Sequence, residues 1–184
     1  MCYVIDIASV WAPFCRSERQ SDPTLGGTTS IMDDPDQNSM PAMREMQAPL
    51  RTVLYVEDNP ANMALVEQLI RRRADLKLLK AINGLAGVLI ARGCRPDVVV
   101  MDIKLSGIDG FEALKILRED PATAHIPVMA LSSDAYPSQI EKGIEAGFFR
   151  YLTKPYKVEE FMDALDAALQ YAMIARQGAQ FPAY

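Results

Sequence analysis

Residues 97–104, Asp-Val-Val-Val-Met-Asp-Ile-Lys, form the stretch that decides the fold of this 184-residue chain. Three valines and a methionine follow one another, which leaves the segment without a polar side. This pattern is typical of a strand buried on both faces, as in a parallel sheet lying between two layers of helices. The run ends at Asp102, so it predicts an α/β domain with a carboxylate at the carboxyl end of one strand.

Short apolar strands and helical segments alternate on both sides of this stretch. Strands are predicted at 52–56, 76–81, 97–101, 127–131 and 149–153, and helices at 60–73, 85–92, 111–118, 137–146 and 158–175. Gly93 and Gly147 stand where glycine commonly ends a helix. Five strands that alternate with five helices through right-handed crossovers predict a doubly wound parallel sheet with helices on both faces.

Residues 1–49 differ in composition from the rest. They hold five of the 12 prolines and the polar run 33–39, which cannot bury a core. Two interpretations stay open: a disordered functional tail, or a start codon assigned too early, since methionines recur up to Met46. We therefore expect one domain over residues 51–171, followed by a tail at 172–184 and no output domain.

Charge and cysteine content exclude several classes of protein. The formal net charge is −5, and the first 50 residues, with seven acids and three bases, account for −4 of it. The nearly neutral remainder offers no attraction for nucleic acid or an anionic membrane. Cys2, Cys15 and Cys94 lack metal-binding spacing, which indicates a reducing, cytoplasmic setting without zinc. No apolar run approaches the roughly 20 residues of a membrane helix.

Charged and hydroxyl side chains follow four of the predicted strands: Glu57, Asp58, Asp102, Ser132 and Lys154. Parallel strands end at one edge of the sheet, so we expect these groups to lie together. Three carboxylates that repel one another favour a hard cation such as Mg²⁺. A lysine and a hydroxyl suit phosphoryl oxygens, and a carboxylate can accept a phosphoryl group covalently. Asp102 is the best candidate acceptor because it lies at the centre of the strand order, with the other two acids on one side and the hydroxyl and the lysine on the other.

Simpler explanations exist for each of these residues. Glu57 and Asp58 could cap the helix that follows them, since acids favour a helix N-terminus. Asp102 could be an ordinary loop acid, Ser132 a turn hydroxyl and Lys154 a solvated surface lysine. Only their common position, directly after four of the five predicted strands, favours a shared site.

Four segments in the same order carry a family resemblance: 53–59 (VLYVEDN), 100–110 (VMDIKLSGIDG), 130–135 (ALSSDA) and 151–155 (YLTKP). From about residue 51 to 171 the chain resembles the receiver domains of two-component response regulators, including those fused to hybrid histidine kinases. This resemblance implies a flavodoxin-like sheet with strand order 2-1-3-4-5.

The resemblance also implies a role for each matching residue. Asp102 would take a phosphoryl group from a phosphohistidine on a sensor histidine kinase or a histidine phosphotransfer protein. The other implied roles are Mg²⁺ binding by Glu57, Asp58, Asp102 and the Lys104 backbone carbonyl, phosphoryl binding by Lys154 and Ser132, and switching by Tyr151 with Ser132. The Lys154–Pro155 bond matches one that is usually cis. Plain packing would explain Tyr151 equally well.

Three positions depart from the family pattern. Ser106 stands where proline is usual, so a less rigid loop is expected after Asp102. Ser132 replaces the commoner threonine and keeps the hydroxyl, and Glu57 is a common variant of aspartate. None of the three removes an essential group.

The resulting hypothesis is a cytoplasmic phosphoacceptor that signals through protein contacts in a two-component system or phosphorelay. It would catalyse only its own phosphorylation and dephosphorylation. A homodimer is possible through the fourth helix, fifth strand and fifth helix. The alternatives are a phosphorylation-independent interaction module and an aspartate-nucleophile phosphatase. Such a phosphatase needs a second acid two residues after its nucleophile, where this chain has Lys104.

Overall fold

The computed structural model describes residues 50–178, and the predicted N-terminal tail lies outside these residues. Five strands alternate with five helices along the described chain. The strands are β1 Arg51–Val56, β2 Leu76–Ala81, β3 Val98–Asp102, β4 Val128–Ser132 and β5 Arg150–Thr153. The helices are α1 Pro60–Arg71, α2 Gly84–Cys94, α3 Gly110–Glu119, α4 Pro137–Glu145 and α5 Val158–Gly178.

The strands form one parallel sheet in the order β2-β1-β3-β4-β5, which confirms the predicted topology. β3 therefore lies between β1 and β4, at the point where the strand order reverses. Asp102 pairs with Leu131 in register, and Ser132 pairs with Thr153. The carboxyl ends of β1, β3, β4 and β5 consequently meet at one edge of the sheet.

Two apolar layers cover the sheet. On one face, Val53 and Tyr55 pack with residues of α1 and α5 such as Val66 and Leu165. On the other face, Leu54 packs with residues of α2 and α3. Successive side chains of a strand point to opposite faces, so the continuous apolar run in β1 supplies both layers.

Several helix ends differ from the prediction. Gly93 does not end α2, because the helix runs to Cys94 and the Arg95 N–H donates to the Ala91 carbonyl. The chain turns at Arg95 instead, with a left-handed φ of 46°. Gly147, with φ 101°, follows α4 as predicted. No helix in the described part of the chain is long and apolar enough to cross a membrane.

α5 also extends past the predicted domain end at 171, as far as Gly178. Ion pairs fasten it across the amino ends of the strands. Arg73 bonds to Asp166 at 3.0 Å and to Asp75 at 2.8 Å, and Arg176 pairs with Asp97. The Arg73–Asp166 and Arg176–Asp97 pairs connect residues far apart in the chain, so local sequence patterns do not reveal them.

Candidate functional site

Three carboxylates meet at the carboxyl edge of the sheet. Glu57 and Asp58 follow β1, Asp102 ends the adjacent β3, and one oxygen of each lies within 4.8 Å of the others. Glu57 and Asp102 are buried, whereas Asp58 is exposed. Negative charges this close repel one another unless a cation joins them. Oxygen ligands with one solvent-facing side match the preference of Mg²⁺, so the donor set fits this ion.

Lys154, which follows β5, supplies a positive charge to the two buried acids. Its Nζ lies 2.8 Å from Glu57 Oε2 and 3.3 Å from Asp102 Oδ2. The Lys154 N–H donates to the Ser132 carbonyl at 2.7 Å, which continues the β4–β5 pairing into the site. The Lys154–Pro155 peptide is cis, as the resemblance implied. The lysine is therefore not a solvated surface residue; it joins two buried acids.

Only one of the two carboxylate oxygens of Asp102, Oδ2, contacts Lys154. Its Oδ1 is buried and has no hydrogen-bond partner among the described residues. Burial raises the pKa of Asp102, and the neighbouring Lys154 ammonium opposes this rise. An unpaired buried carboxylate oxygen is unfavourable. Oδ1 is consequently the atom of this site best suited to gain a bond or a cation.

In the metal-free protein, the raised pKa of Asp102 predicts a pH-dependent difference from Asp102→Asn. The folded state holds the Asp102 proton more tightly than the unfolded chain does. The wild type should therefore lose stability relative to the variant as pH rises from the ordinary aspartate pKa through the raised one. Urea denaturation in EDTA across this range measures the difference, and a flat or opposite trend would contradict the assignment.

Glu57 is held by three donors. Its Oε2 accepts the Tyr55 hydroxyl at 3.0 Å and Lys154 Nζ at 2.8 Å, and its Oε1 accepts the Asn59 N–H at 3.2 Å. Burial raises the pKa of Tyr55, and the charge of Glu57 adds to the rise, so the phenol stays a donor. Tyr55 was not among the predicted site residues. The available signal was a hydroxyl within an otherwise apolar buried strand.

The helix-capping explanation for the two acids is wrong. Asn59 is the N-cap of α1, and its Oδ1 accepts the N–H groups of Ala61 at 2.8 Å and Asn62 at 3.3 Å. Neither Glu57 nor Asp58 is needed for that purpose. Both acids are thus available to the site.

Asp58 contacts the loop that follows β3. Its Oδ2 accepts the Ser106 N–H at 3.1 Å. Proline, the usual residue there according to the resemblance, has no N–H and could not make this bond. The serine therefore connects the two loops that carry the acids, a consequence that our expectation of a less rigid loop did not include.

The β3–α3 loop folds closely behind Asp102. The Ile103 N–H donates to the Leu131 carbonyl, and the Gly110 N–H donates to the Ile103 carbonyl. A Cβ at Gly110 would lie 2.7 Å from the Asp102 carbonyl oxygen, which explains why glycine begins α3. Lys104 belongs to this loop, and its carbonyl stays a predicted metal ligand.

Ser132 is buried at the end of β4, one residue past the register partner of Asp102, and it pairs with Thr153, the residue before Lys154. Its Oγ accepts the Asp134 N–H at 3.0 Å, so it acts as a turn hydroxyl in this structure. A hydroxyl can also donate a proton, because it has one donor and two lone pairs. The turn bond therefore leaves the predicted phosphoryl contact chemically possible.

Tyr151 lies in β5, half-buried, with its ring against α4. It makes an edge-to-face contact with Phe148 at 6.4 Å, and Phe148 makes another with Phe111 at 5.5 Å. A Cβ built at Gly143 would lie 2.4 Å from the Tyr151 ring. The ring thus occupies space that only a glycine in α4 leaves open.

We expect Gly143→Ala to destabilise the protein by about 1–3 kcal/mol, the usual cost of overpacking. Alanine would otherwise stabilise a helix interior by about 1 kcal/mol relative to glycine. The sign of the change in unfolding free energy therefore reports the contact with Tyr151. Gly93→Ala, at an exposed position within α2, is the matched control and should not destabilise. Urea denaturation distinguishes the two, and stabilisation by both would contradict this packing.

Comparison with known proteins identifies the family. The sequence model of the response regulator receiver domain family matches residues 53–166, more than half of the chain. The chain belongs to the response regulator receiver family.

Individual relatives agree with this assignment. The polar-differentiation response regulator DivK of Brucella anthropi is 34% identical over 119 residues, which cover 65% of this chain and 96% of the relative. The receiver domain of sensor histidine kinase PA1611 from Pseudomonas aeruginosa is 29% identical, with a TM-score of 0.61 and coverage of 66% and 98%, respectively. That structure has a magnesium ion coordinated in its active-site cleft. Chemotaxis protein CheY4 of Vibrio cholerae, at 23% identity, 65% and 98% coverage and a TM-score of 0.60, shares the fold.

Membership of the response regulator receiver family defines the general activity of this domain. Receiver domains are phosphoacceptors of two-component signalling that bind Mg²⁺ and have weak autophosphatase activity. They interact with histidine kinases or phosphotransfer proteins and with downstream targets. The matching family model and the acid cluster both favour this activity over a phosphatase or a phosphorylation-independent module.

Proposed function

We propose that this receiver domain takes a phosphoryl group onto Asp102 from a phosphohistidine of a sensor histidine kinase or a histidine phosphotransfer protein. The nitrogen–phosphorus bond of the donor breaks, an Asp102 oxygen forms the new bond to phosphorus, and the histidine nitrogen keeps the electron pair. The observation that carries this proposal is the buried Oδ1 of Asp102, which has no hydrogen-bond partner within residues 50–178 and lies beside a lysine and two further acids.

Glu57, Asp58 and Asp102 would hold Mg²⁺ together with the Lys104 carbonyl. When bound, Mg²⁺ supplies positive charge that offsets the acids and the transferring phosphoryl oxygens. The exposure of Asp58 supports this proposal, because it gives the ion and the donor one open side from which to enter.

Lys154 and Ser132 would bind the oxygens of the phosphoryl group. Lys154 Nζ is already 3.3 Å from Asp102 Oδ2, so a small movement away from Glu57 would bring it to a new anion. The Ser132 hydroxyl would turn its proton toward the same group. Tyr151 would then move with Ser132, which would change the surface formed by α4 and β5.

The output would be protein contacts made in the cytoplasm. The 119 matched residues cover 96% of the DivK relative, so that response regulator consists almost entirely of a receiver domain. This supports signalling by the receiver surface itself, in a two-component system or a phosphorelay.

Incubation of the full chain with acetyl phosphate and Mg²⁺, followed by intact mass measurement, tests the proposal. We expect one phosphoryl adduct, which should be absent when EDTA removes the metal. If the protein gains no adduct and also fails to bind beryllofluoride with Mg²⁺, a phosphorylation-independent interaction module becomes the better hypothesis.

A further inference from the structure

We propose that Tyr55 is a positioning residue for the metal site, holding the Glu57 carboxylate in place through its hydroxyl. This inference rests on the proposed function, because it assigns Glu57 to the metal. It gives a residue of the hydrophobic core a role in orienting a metal ligand.

The position of Tyr55 calls for an explanation of its hydroxyl. The residue is fully buried near the carboxyl end of β1, between Leu54 and Val56, which are equally buried. Phenylalanine would fill the same space without bringing a polar atom into the core. A buried hydroxyl is unfavourable unless it is hydrogen-bonded. The Tyr55 hydroxyl is bonded to Glu57 Oε2 at 3.0 Å, so it points toward the site.

Tyr55 and Lys154 share one oxygen of Glu57. Lys154 Nζ is 2.8 Å from Oε2 and 3.3 Å from Asp102 Oδ2, so it bridges the two acids. A lysine that moves toward a phosphoryl group on Asp102 must give up its contact with Glu57. The Tyr55 hydroxyl is an uncharged donor, so a phosphoryl group on Asp102 attracts it far less than it attracts the lysine. It keeps Oε2 bonded and prevents the glutamate from turning.

The length of Glu57 explains why such a donor matters. A glutamate has one more rotatable bond than the aspartate that is common at this position, and ordering it costs more side-chain entropy. Its Oε1 is held by the Asn59 N–H at 3.2 Å. Tyr55 holds the other oxygen, so both ends of the carboxylate are fixed. Groups that orient metal ligands in this way contribute strongly to metal affinity.

The test is the affinity of the full chain for Mg²⁺, measured by competition with Mn²⁺ through the electron paramagnetic resonance signal of free Mn²⁺. We expect Tyr55→Phe to weaken Mg²⁺ binding about tenfold, the lower end of the effect when such an orienting group is lost. At saturating Mg²⁺ the variant should still form the phosphoryl adduct.

Thr123→Val is the matched control. Thr123 is as fully buried as Tyr55, and its hydroxyl donates to the Leu117 carbonyl at 2.8 Å, in the segment between α3 and β4. This variant also loses one buried hydrogen bond, yet it should bind Mg²⁺ like the wild type. Equal weakening in both variants would mean that reduced stability, and not positioning, is responsible, and would overturn the proposal.

A second comparison tests whether Tyr55 acts through Glu57. Glu57→Asp keeps the charge and shortens the side chain by one methylene group, which removes the contact with the hydroxyl. In that background, Tyr55→Phe should produce no further loss of affinity. A full additional tenfold loss would contradict the proposal.

The outcomes separate this inference from the proposed function. If the wild type binds Mg²⁺ and takes up phosphoryl, but Tyr55→Phe binds Mg²⁺ equally well, only the role of Tyr55 is wrong. If the wild type binds neither Mn²⁺ nor Mg²⁺, the metal site and the inference that depends on it both fail.

Discussion

Asp102→Asn should abolish phosphoryl uptake from acetyl phosphate while leaving the fold intact. Asparagine has nearly the same shape but lacks the nucleophilic carboxylate that would form the bond to phosphorus. It also removes one of three mutually repelling charges, so the metal-free protein should not become less stable. Intact mass after incubation with Mg²⁺ and acetyl phosphate measures uptake, and circular dichroism confirms the fold.

Asp109→Asn is the control for this experiment. Asp109 caps α3 through its bond to the Glu112 N–H at 2.8 Å, and asparagine caps a helix about as well as aspartate. Asp109 lies outside the acid cluster, so this variant should take up phosphoryl normally. A clear adduct on Asp102→Asn would mean that another side chain is the acceptor.

Lys154→Ala should destabilise the metal-free protein by about 3 kcal/mol, the lower end of the cost when one partner of a buried ion pair is removed. The substitution leaves Glu57 and Asp102 buried without the cation that joins them. Added Mg²⁺ should restore part of the loss, because it supplies positive charge to the same carboxylates. Urea denaturation with EDTA and with MgCl₂ measures both effects.

Lys80→Ala is the control for the loss of a lysine. Lys80 pairs with Glu67 at 3.1 Å, but the lysine is exposed and the glutamate is partly exposed. Such surface pairs contribute at most about 1 kcal/mol, and Mg²⁺ should not compensate for the loss. Equal destabilisation by both substitutions, without rescue by Mg²⁺, would argue that Lys154 does not neutralise the acid cluster.

Much of the fold was accessible from local patterns. The valine run of β3 indicated a strand covered on both faces, and the alternation of strands and helices implied a parallel sheet. The ends of helices were less accessible. Gly93 matched a helix terminator, but the hydrogen bond from Arg95 to Ala91 carries α2 past it. The Arg176–Asp97 ion pair joins distant parts of the chain and holds α5 beyond the predicted domain end, which no local pattern indicates.

For the candidate site as well, the sequence revealed the residues but not the contacts among them. The presence of Glu57, Asp58, Asp102, Ser132 and Lys154 after successive strands was visible in the sequence, because parallel strands bring their carboxyl ends together. The contacts among these residues were not. No pattern shows that Lys154 lies closer to Glu57 than to Asp102, or that Asp102 Oδ1 has no partner in the part of the chain that the structure describes.

What the sequence alone determined is the kind of fold and the identity of the charged groups at one edge of the sheet, since both follow from periodicity and strand order. What only the tertiary structure decided is how these groups are satisfied. The Tyr55 hydroxyl meets Glu57, the Ser106 N–H meets Asp58, and Gly143 makes room for Tyr151. Hydrogen bonds and packing depend on differences of a few tenths of an ångström in interatomic distance. These distances are set only when the whole core assembles.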